Sequence, residues 1–335
     1  MKMQKQRLGN TGLSVSRAGF GVLPLGPSQR NLPLEEGTHL LLYAMEQGFC
    51  FFDTAEYYQT YSYLNHALDA WEAAGGSRSD FVISSKSLAS DYEGMMNAIE
   101  DALLQLHLDT IDIFLMHEVR SGQLEERTGA WQALCDAKKQ GLVKAIGLST
   151  HHTDIAASAA EIPELDVVFP LLNYAGLGIR TSEMSADGTV IQRFASAEEM
   201  MDSIRLCHAA GKGVFTMKVF GGGSLTADYQ KALNYVFSQP EVDSVMIGFT
   251  RKSEVDDLLS WLNRTMSADY NPDISSKRVR VNQEDCEGCG ACRSMCSAGA
   301  IFWNPENGLA EVDQSKCLTC GYCIPACPVR AMIMY

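Results

Sequence analysis

VSRAGFGV (15–22), CFFD (50–53), FVISSK (81–86), IDIFLMH (111–117), VKAIGLS (143–149), VVFPLLN (167–173), GVFTMK (213–218) and VDSVMIG (242–248) are the runs whose reading decides the fold. Each is short and rich in β-branched or aromatic residues, as a buried strand requires. Between and after them, apolar residues recur three and four apart at 35–46, 61–73, 93–106, 126–139, 154–160, 197–210, 226–237 and 253–262, which predicts helices, the last with Ser253 as N-cap. An open doubly wound sheet normally uses five or six strands, so eight strand-helix units in about 250 residues predict a closed α/β barrel of the (β/α)8 type. No GxGxxG follows the first strand, so the fingerprint of an open dinucleotide-binding sheet is absent.

Two segments interrupt the repeat. Residues 174–196 form a long excursion after the sixth strand, expected to lie over the barrel mouth or to be a plain surface loop. Residues 266–282 contain Pro272 and no periodicity, and read as a linker between a barrel at 1–265 and a tail at 283–335.

The tail carries Cys286, Cys289, Cys292 and Cys296, then Cys317, Cys320, Cys323 and Cys327 followed by Pro328. Each set runs at x2-x2-x3 spacing, and 301–313 between them predicts a hairpin turning at Asn307-Gly308. Three cysteines within seven residues wrap one 4Fe-4S cubane, and the fourth points to the neighbouring cluster. Cluster one is therefore expected on Cys286, Cys289, Cys292 and Cys327, and cluster two on Cys317, Cys320, Cys323 and Cys296. Zinc and disulfides are the competing readings of such cysteines. Ser297 stands where a proline is expected after Cys296. Over about 50 residues the tail resembles the bacterial two-cluster ferredoxins, a small α+β fold. A unit this short draws much of its folding energy from metal whether or not it conducts.

Composition narrows the rest. The 335-residue chain is 46% apolar with a formal net charge of -14, which excludes a basic footprint for nucleic acid. No run approaches the length of a membrane span, and the start has no apolar signal segment, so no membrane association and a cytoplasmic protein are expected. Cys50, Cys135 and Cys207 lie among apolar neighbours and read as buried small hydrophobes.

In such a barrel, chemistry is built at the C-terminal ends of the strands. Asp53, Lys86 and His117 end the second, third and fourth runs, and Tyr58 lies five residues past Asp53. Singly, each has an ordinary role: a helix cap, a solvated strand end, a core histidine, an edge aromatic. Together they make a proton-donor cluster in which Asp53 holds Lys86 and the lysine charge favours the tyrosinate.

At this point the barrel resembles the aldo-keto reductases. RLGNTGLSVSRAGFG (7–21), FDTAEYY (52–58), VISSK (82–86), DIFLMH (112–117) and GLVKAIGLST (141–150) carry the likeness. The resemblance implies a (β/α)8 barrel that binds NADPH or NADH and exchanges hydride with a small carbonyl or alcohol, without metal or flavin. Its catalytic positions fall on Asp53, Tyr58, Lys86 and His117. Its cofactor positions fall on Ser149, Thr150, Asn173, Met217 and Lys218 around the nicotinamide. At the adenosine end they fall on Gly248, Thr250, Arg251, Glu254 and Asp257. The chain departs from the family where Ser149-Thr150 replaces Ser-Asn, Phe169 a common Gln, Met217 a stacking tyrosine, Gln59 a glycine and Glu254 a common arginine.

The joined chain resembles a subgroup of these reductases with a C-terminal ferredoxin-like domain. Three functions follow as expectations: a carbonyl oxidoreductase whose clusters relay electrons to a redox protein partner, an ordinary reductase braced by its clusters, or an electron-transfer adaptor with an inactive barrel. Substrate size is expected to depend on 174–196, 23–31 and the approach of the tail. The pattern carries no sign of oligomeric state.

Overall fold

The computed structural model describes residues 3–184, 190–274, 277–319, 321–329 and 331–334. Eight parallel strands, Ala18–Gly21, Phe51–Asp53, Val82–Ser87, Ile111–Met116, Val143–Thr150, Val167–Pro170, Gly213–Thr216 and Ser244–Gly248, pair in sequence order and close into a barrel. Side chains alternate across each strand. Phe51, Val82, Ile113, Leu115, Val167, Phe169, Phe215 and Met246 fill the interior, while Phe52, Ile83 and Phe114 face the helical layer. Val15, in Ser14–Ser16, which pairs antiparallel with Lys5–Arg7, and Leu8 just past that pair plug the bottom.

The structure corrects several boundaries. Val15 and Ser16 leave the first predicted strand for that plug, and the sixth strand stops at Pro170. The fourth predicted helix breaks at Arg127 into Gln123–Glu126 and Thr128–Lys139. Ser253 is no N-cap: it lies inside Lys252–Leu262, whose flanking Arg251 is extended and caps nothing with its side chain. Glu254 takes over, its carboxylate accepting the Thr250 N–H at 2.7 Å.

In the tail, Ile301–Trp303 pairs with Ala310–Val312, with Gly308 at φ +70° in the turn, as the Asn-Gly dipeptide predicts. Val279–Val281 pairs with Met332–Met334, so the last residues of the predicted linker belong to the tail sheet. The excursion forms a hairpin, Arg180–Met184 with Val190–Phe194.

The tail sits on the barrel mouth. Asn282 donates to the Tyr57 hydroxyl at 2.6 Å, Arg280 to the Pro27 carbonyl at 3.2 Å, and Arg180 of the excursion to the Cys327 carbonyl at 3.4 Å. Gly223, at φ +97°, would drive a Cβ to 2.9 Å from the Met334 Cβ, so the tail can pack this close only over a glycine. Among the described residues no helix is long and apolar enough to cross a membrane.

Candidate active site at the barrel mouth

Strand parity brings the catalytic candidates together. Asp53 shares the inner face with Phe51, Lys86 with Val82, and His117 continues the inward series of Ile113 and Leu115. Lys86 donates to Asp53 at 2.7 Å and to the Thr54 carbonyl at 2.6 Å, and both charged side chains are buried. Burial pushes the Asp53 carboxyl up and the Lys86 ammonium down, each opposed by its partner's charge.

A short 3-10 turn, Glu56–Tyr58, carries Tyr58 over this pair, and Gln59 ends the turn at φ +54°. That backbone suits the glycine usual in the family. The Tyr58 hydroxyl lies 3.4 Å from His117 Nε2, and the Lys86 ammonium sits 4.7 Å from the Tyr58 ring centroid. On its other side the same ammonium lies 5.5 Å from the Phe169 ring, which stacks on Phe215. The neighbouring Tyr57 goes elsewhere, to Asn282 of the tail. Of the two tyrosines, only Tyr58 joins the cluster.

Tyr58 and Asp53 line a cleft of about 270 Å³, close to the low end of small-molecule sites, roughly 300 to 1,000 Å³. Met217, Lys218, Gly248, Thr250 and Glu254 line it too. The other predicted cofactor contacts are spent internally. The Ser149 hydroxyl accepts the Glu118 N–H at 2.8 Å, and the Thr150 hydroxyl donates to the Val119 carbonyl at 2.6 Å. Both ends of the Asn173 amide bond the Leu177 backbone, which turns the chain just past the sixth strand.

At the adenosine end the linker intervenes: Arg251 bonds the Asp273 carbonyl at 2.7 Å, and Asp257 accepts from Tyr270. Glu254 stays on the cleft wall, faced by Lys277 of the linker, whose ammonium burial pushes down and Glu254 pulls up.

Sequence reasoning missed three contributions. Arg127 is buried and donates to the carbonyls of His117 at 2.9 Å, Ala89 at 3.0 Å and Ser87 at 3.2 Å, tying together the ends of the third and fourth strands. Lys277 comes from a segment with no periodicity. Ile324, Met332, Ile333 and Met334 come from the tail and form a wall of the barrel's own cleft.

A second, smaller cavity is lined by Cys286, Cys289, Cys292 and Cys327 with Val281, Trp303 and Met332. The expected crossed partner, Cys327, thus lines the same small apolar cavity as the first three-cysteine run. Cys296, Cys317 and Cys323 pack on the same small core, while Cys320 lies outside the described residues. None of the described cysteines is in a disulfide, which removes that reading for them. Met332 lines both cavities, so one side chain is common to the cluster cage and the cleft.

The comparisons agree with this geometry. Residues 17–234 match the model of the aldo/keto reductase family, and residues 274–331 match the 4Fe-4S dicluster domain. The chain belongs to the aldo/keto reductase family and is an oxidoreductase with a dicluster domain joined to its barrel. It is 25% identical over 292 residues to L-galactose dehydrogenase of Arabidopsis thaliana, covering 76% of this chain and 87% of that protein. Over 50 residues it is 46% identical to the thiosulfate reductase electron transfer subunit PhsB of Salmonella typhi, 15% of this chain and 25% of that protein. The Bombyx mori aldo-keto reductase solved with NADP superposes with a TM-score of 0.59 at 16% identity, covering 82% of this chain and 91% of that one, which speaks to the fold alone.

Proposed function

We propose that the chain interconverts a carbonyl compound and its alcohol at the barrel mouth, using NADPH or NADH, with the two clusters carrying single electrons between the cleft and a redox partner. The observation that carries this reading is Tyr58, which lines the cleft with His117 on one side and the Lys86–Asp53 pair beneath it. Bound NADPH or NADH would supply the hydride for the carbonyl carbon. Tyr58 gives its proton to the carbonyl oxygen, where negative charge develops, and His117 orients that oxygen. Hydride and proton together complete the alcohol, and solvent restores the tyrosine proton. Met217 offers a soft apolar face to the ring, and Gly248, Thr250, Glu254 and Lys277 line the far end of the cleft for the nucleotide.

For the clusters, Cys286, Cys289, Cys292 and Cys327 would hold the first, and Cys317, Cys320, Cys323 and Cys296 the second. A hydride equivalent amounts to two electrons and a proton, and two clusters accept two electrons, one each. The shared wall at Met332 supports relay, since it leaves little protein between cage and cleft. Exposed Leu318 and Tyr322 flank the second set at the surface, where a partner protein can approach.

Anaerobic mixing with NADPH or NADH is expected to bleach the visible absorbance of the clusters. Cys327→Ser is expected to lower iron from about eight to about four per chain and to slow that bleaching. Steady carbonyl turnover with clusters that never change oxidation state would overturn the relay. It would favour the second reading, in which the tail only braces the barrel through Gly223 and the linker contacts to Arg251 and Asp257.

A further inference from the structure

We propose that Lys218 recognises an acidic group on the substrate, so that the cleft takes an apolar carbonyl compound bearing one carboxylate. The proposal rests on the carbonyl-oxidoreductase reading and names its substrate class. Lys218 lines the cleft one residue past Met217 and is half-buried there. The wall it shares is largely apolar, with Leu171, Leu177, Met217 and Phe220 from the barrel and Met332 and Met334 from the tail. Among the described residues no hydrogen bond or ion pair engages its ammonium, and burial pushes that group's pKa down. A half-buried cation in such a setting calls for an anionic oxygen.

Its backbone adds a second argument. Lys218 adopts φ +61°, a conformation glycine takes freely and a long side chain takes at a cost. The three residues at 221–223 are glycines in the same left-handed region, whereas position 218 keeps a lysine. The cost is accounted for by what the side chain does in the cleft.

The field around Lys218 decides which anion it meets. The carboxylates acting on it are Glu118, next to His117, and Asp285 of the tail, both outside ion-pair distance. Glu254, at the nucleotide end, acts on Lys277 instead. Lys218 lines the same cleft as Tyr58, so an acidic group on a substrate whose carbonyl lies at Tyr58 can reach its ammonium.

The test compares phenylglyoxylate with its methyl ester on the cluster-loaded protein. In Lys218→Met the ratio of kcat/KM for acid over ester is expected to fall on the order of 10- to 100-fold, the worth of one charge-assisted hydrogen bond. Lys218→Arg is expected to keep most of that ratio. Cluster absorbance and the melting temperature report that each variant is folded, and Lys218→Gly, free of the backbone cost, supplies the same test in a form expected to melt no lower. A ratio that stays the same overturns the proposal, and a raised Kd for the nucleotide with that same ratio assigns Lys218 to the nucleotide phosphates instead. If neither compound is turned over, carbonyl reduction of this compound class fails by itself, separately from Lys218. Calorimetric binding of phenylglyoxylate, present in the wild type and lost in Lys218→Met, then still supports Lys218 as the anion site, and no binding to the wild type overturns it.

Discussion

Tyr58→Phe is expected to lower kcat for carbonyl reduction by about 100- to 10,000-fold, the usual contribution of a positioned general acid. The phenyl ring keeps the contact with the Lys86 ammonium, 4.7 Å from the ring centroid, and the edge-on packing against His117, so the site should hold its shape. What goes is the hydroxyl that lies 3.4 Å from His117 Nε2 at the cleft. Nucleotide Kd and cluster content should stay near wild-type values. Tyr57→Phe is the matched control, because its hydroxyl serves Asn282 in the tail contact and not the cleft. Steady-state kinetics of the two variants, with nucleotide binding followed by fluorescence, checks the assignment; similar losses in both would point to the tail contact instead.

Lys86→Met is the second large effect, and it separates stability from chemistry. The lysine and Asp53 form a buried pair at 2.7 Å, and removing one member leaves the other charged in a low-dielectric site. Breaking such a pair costs about 3–5 kcal/mol. The penalty should depend on pH. Without Lys86 the folded-state pKa of Asp53 lies further above that of the unfolded chain, about 3.9, because burial already pushes it up. The unfolded chain then ionises first, so the variant loses stability as pH rises from that value toward the folded pKa. Below it, Asp53 is protonated in both states and the penalty is smallest. Replacing both partners, Asp53→Leu with Lys86→Met, is expected to recover much of the melting temperature, since a buried pair exchanged for apolar groups of similar size is often neutral. Activity should stay low in the double variant. Thermal melts across pH together with kcat distinguish this outcome from a lysine that matters for folding alone.

The barrel was legible because a period of two fixes which residues face inward: Asp53 follows Phe51, His117 follows Ile113 and Leu115, and Lys86 follows Val82 and Ser84 on the inner face. The two-cluster tail was legible for the same kind of reason, a cysteine spacing with few geometric solutions, and residues 274–331 match the 4Fe-4S dicluster domain. Ser149, Thr150 and Asn173 show why a strand-end pattern leaves a role open: a hydroxyl or amide there can satisfy a loop backbone as readily as a ligand, and each bonds the backbone of a loop. Arg127, Lys277 and the wall of Met332 to Met334 carried no signal at all. Their roles arise from contacts between segments far apart in sequence, which no local pattern encodes.

That wall changes how the two halves relate. The tail covers the mouth of the barrel, holds Gly223 under Met334, and shares Met332 between the cluster cage and the cleft. Two electrons from the clusters with two protons from solvent, or one hydride from nicotinamide with one proton from Tyr58, would be alternative ways to reduce the same carbonyl, and they leave different marks on the product. Reduction of a carbonyl with nucleotide carrying deuterium at the transferring C4 position, followed by mass analysis of the alcohol, reads that mark directly. The account predicts one deuterium on the carbinol carbon; an alcohol whose new carbon-bound hydrogen comes from solvent would contradict it.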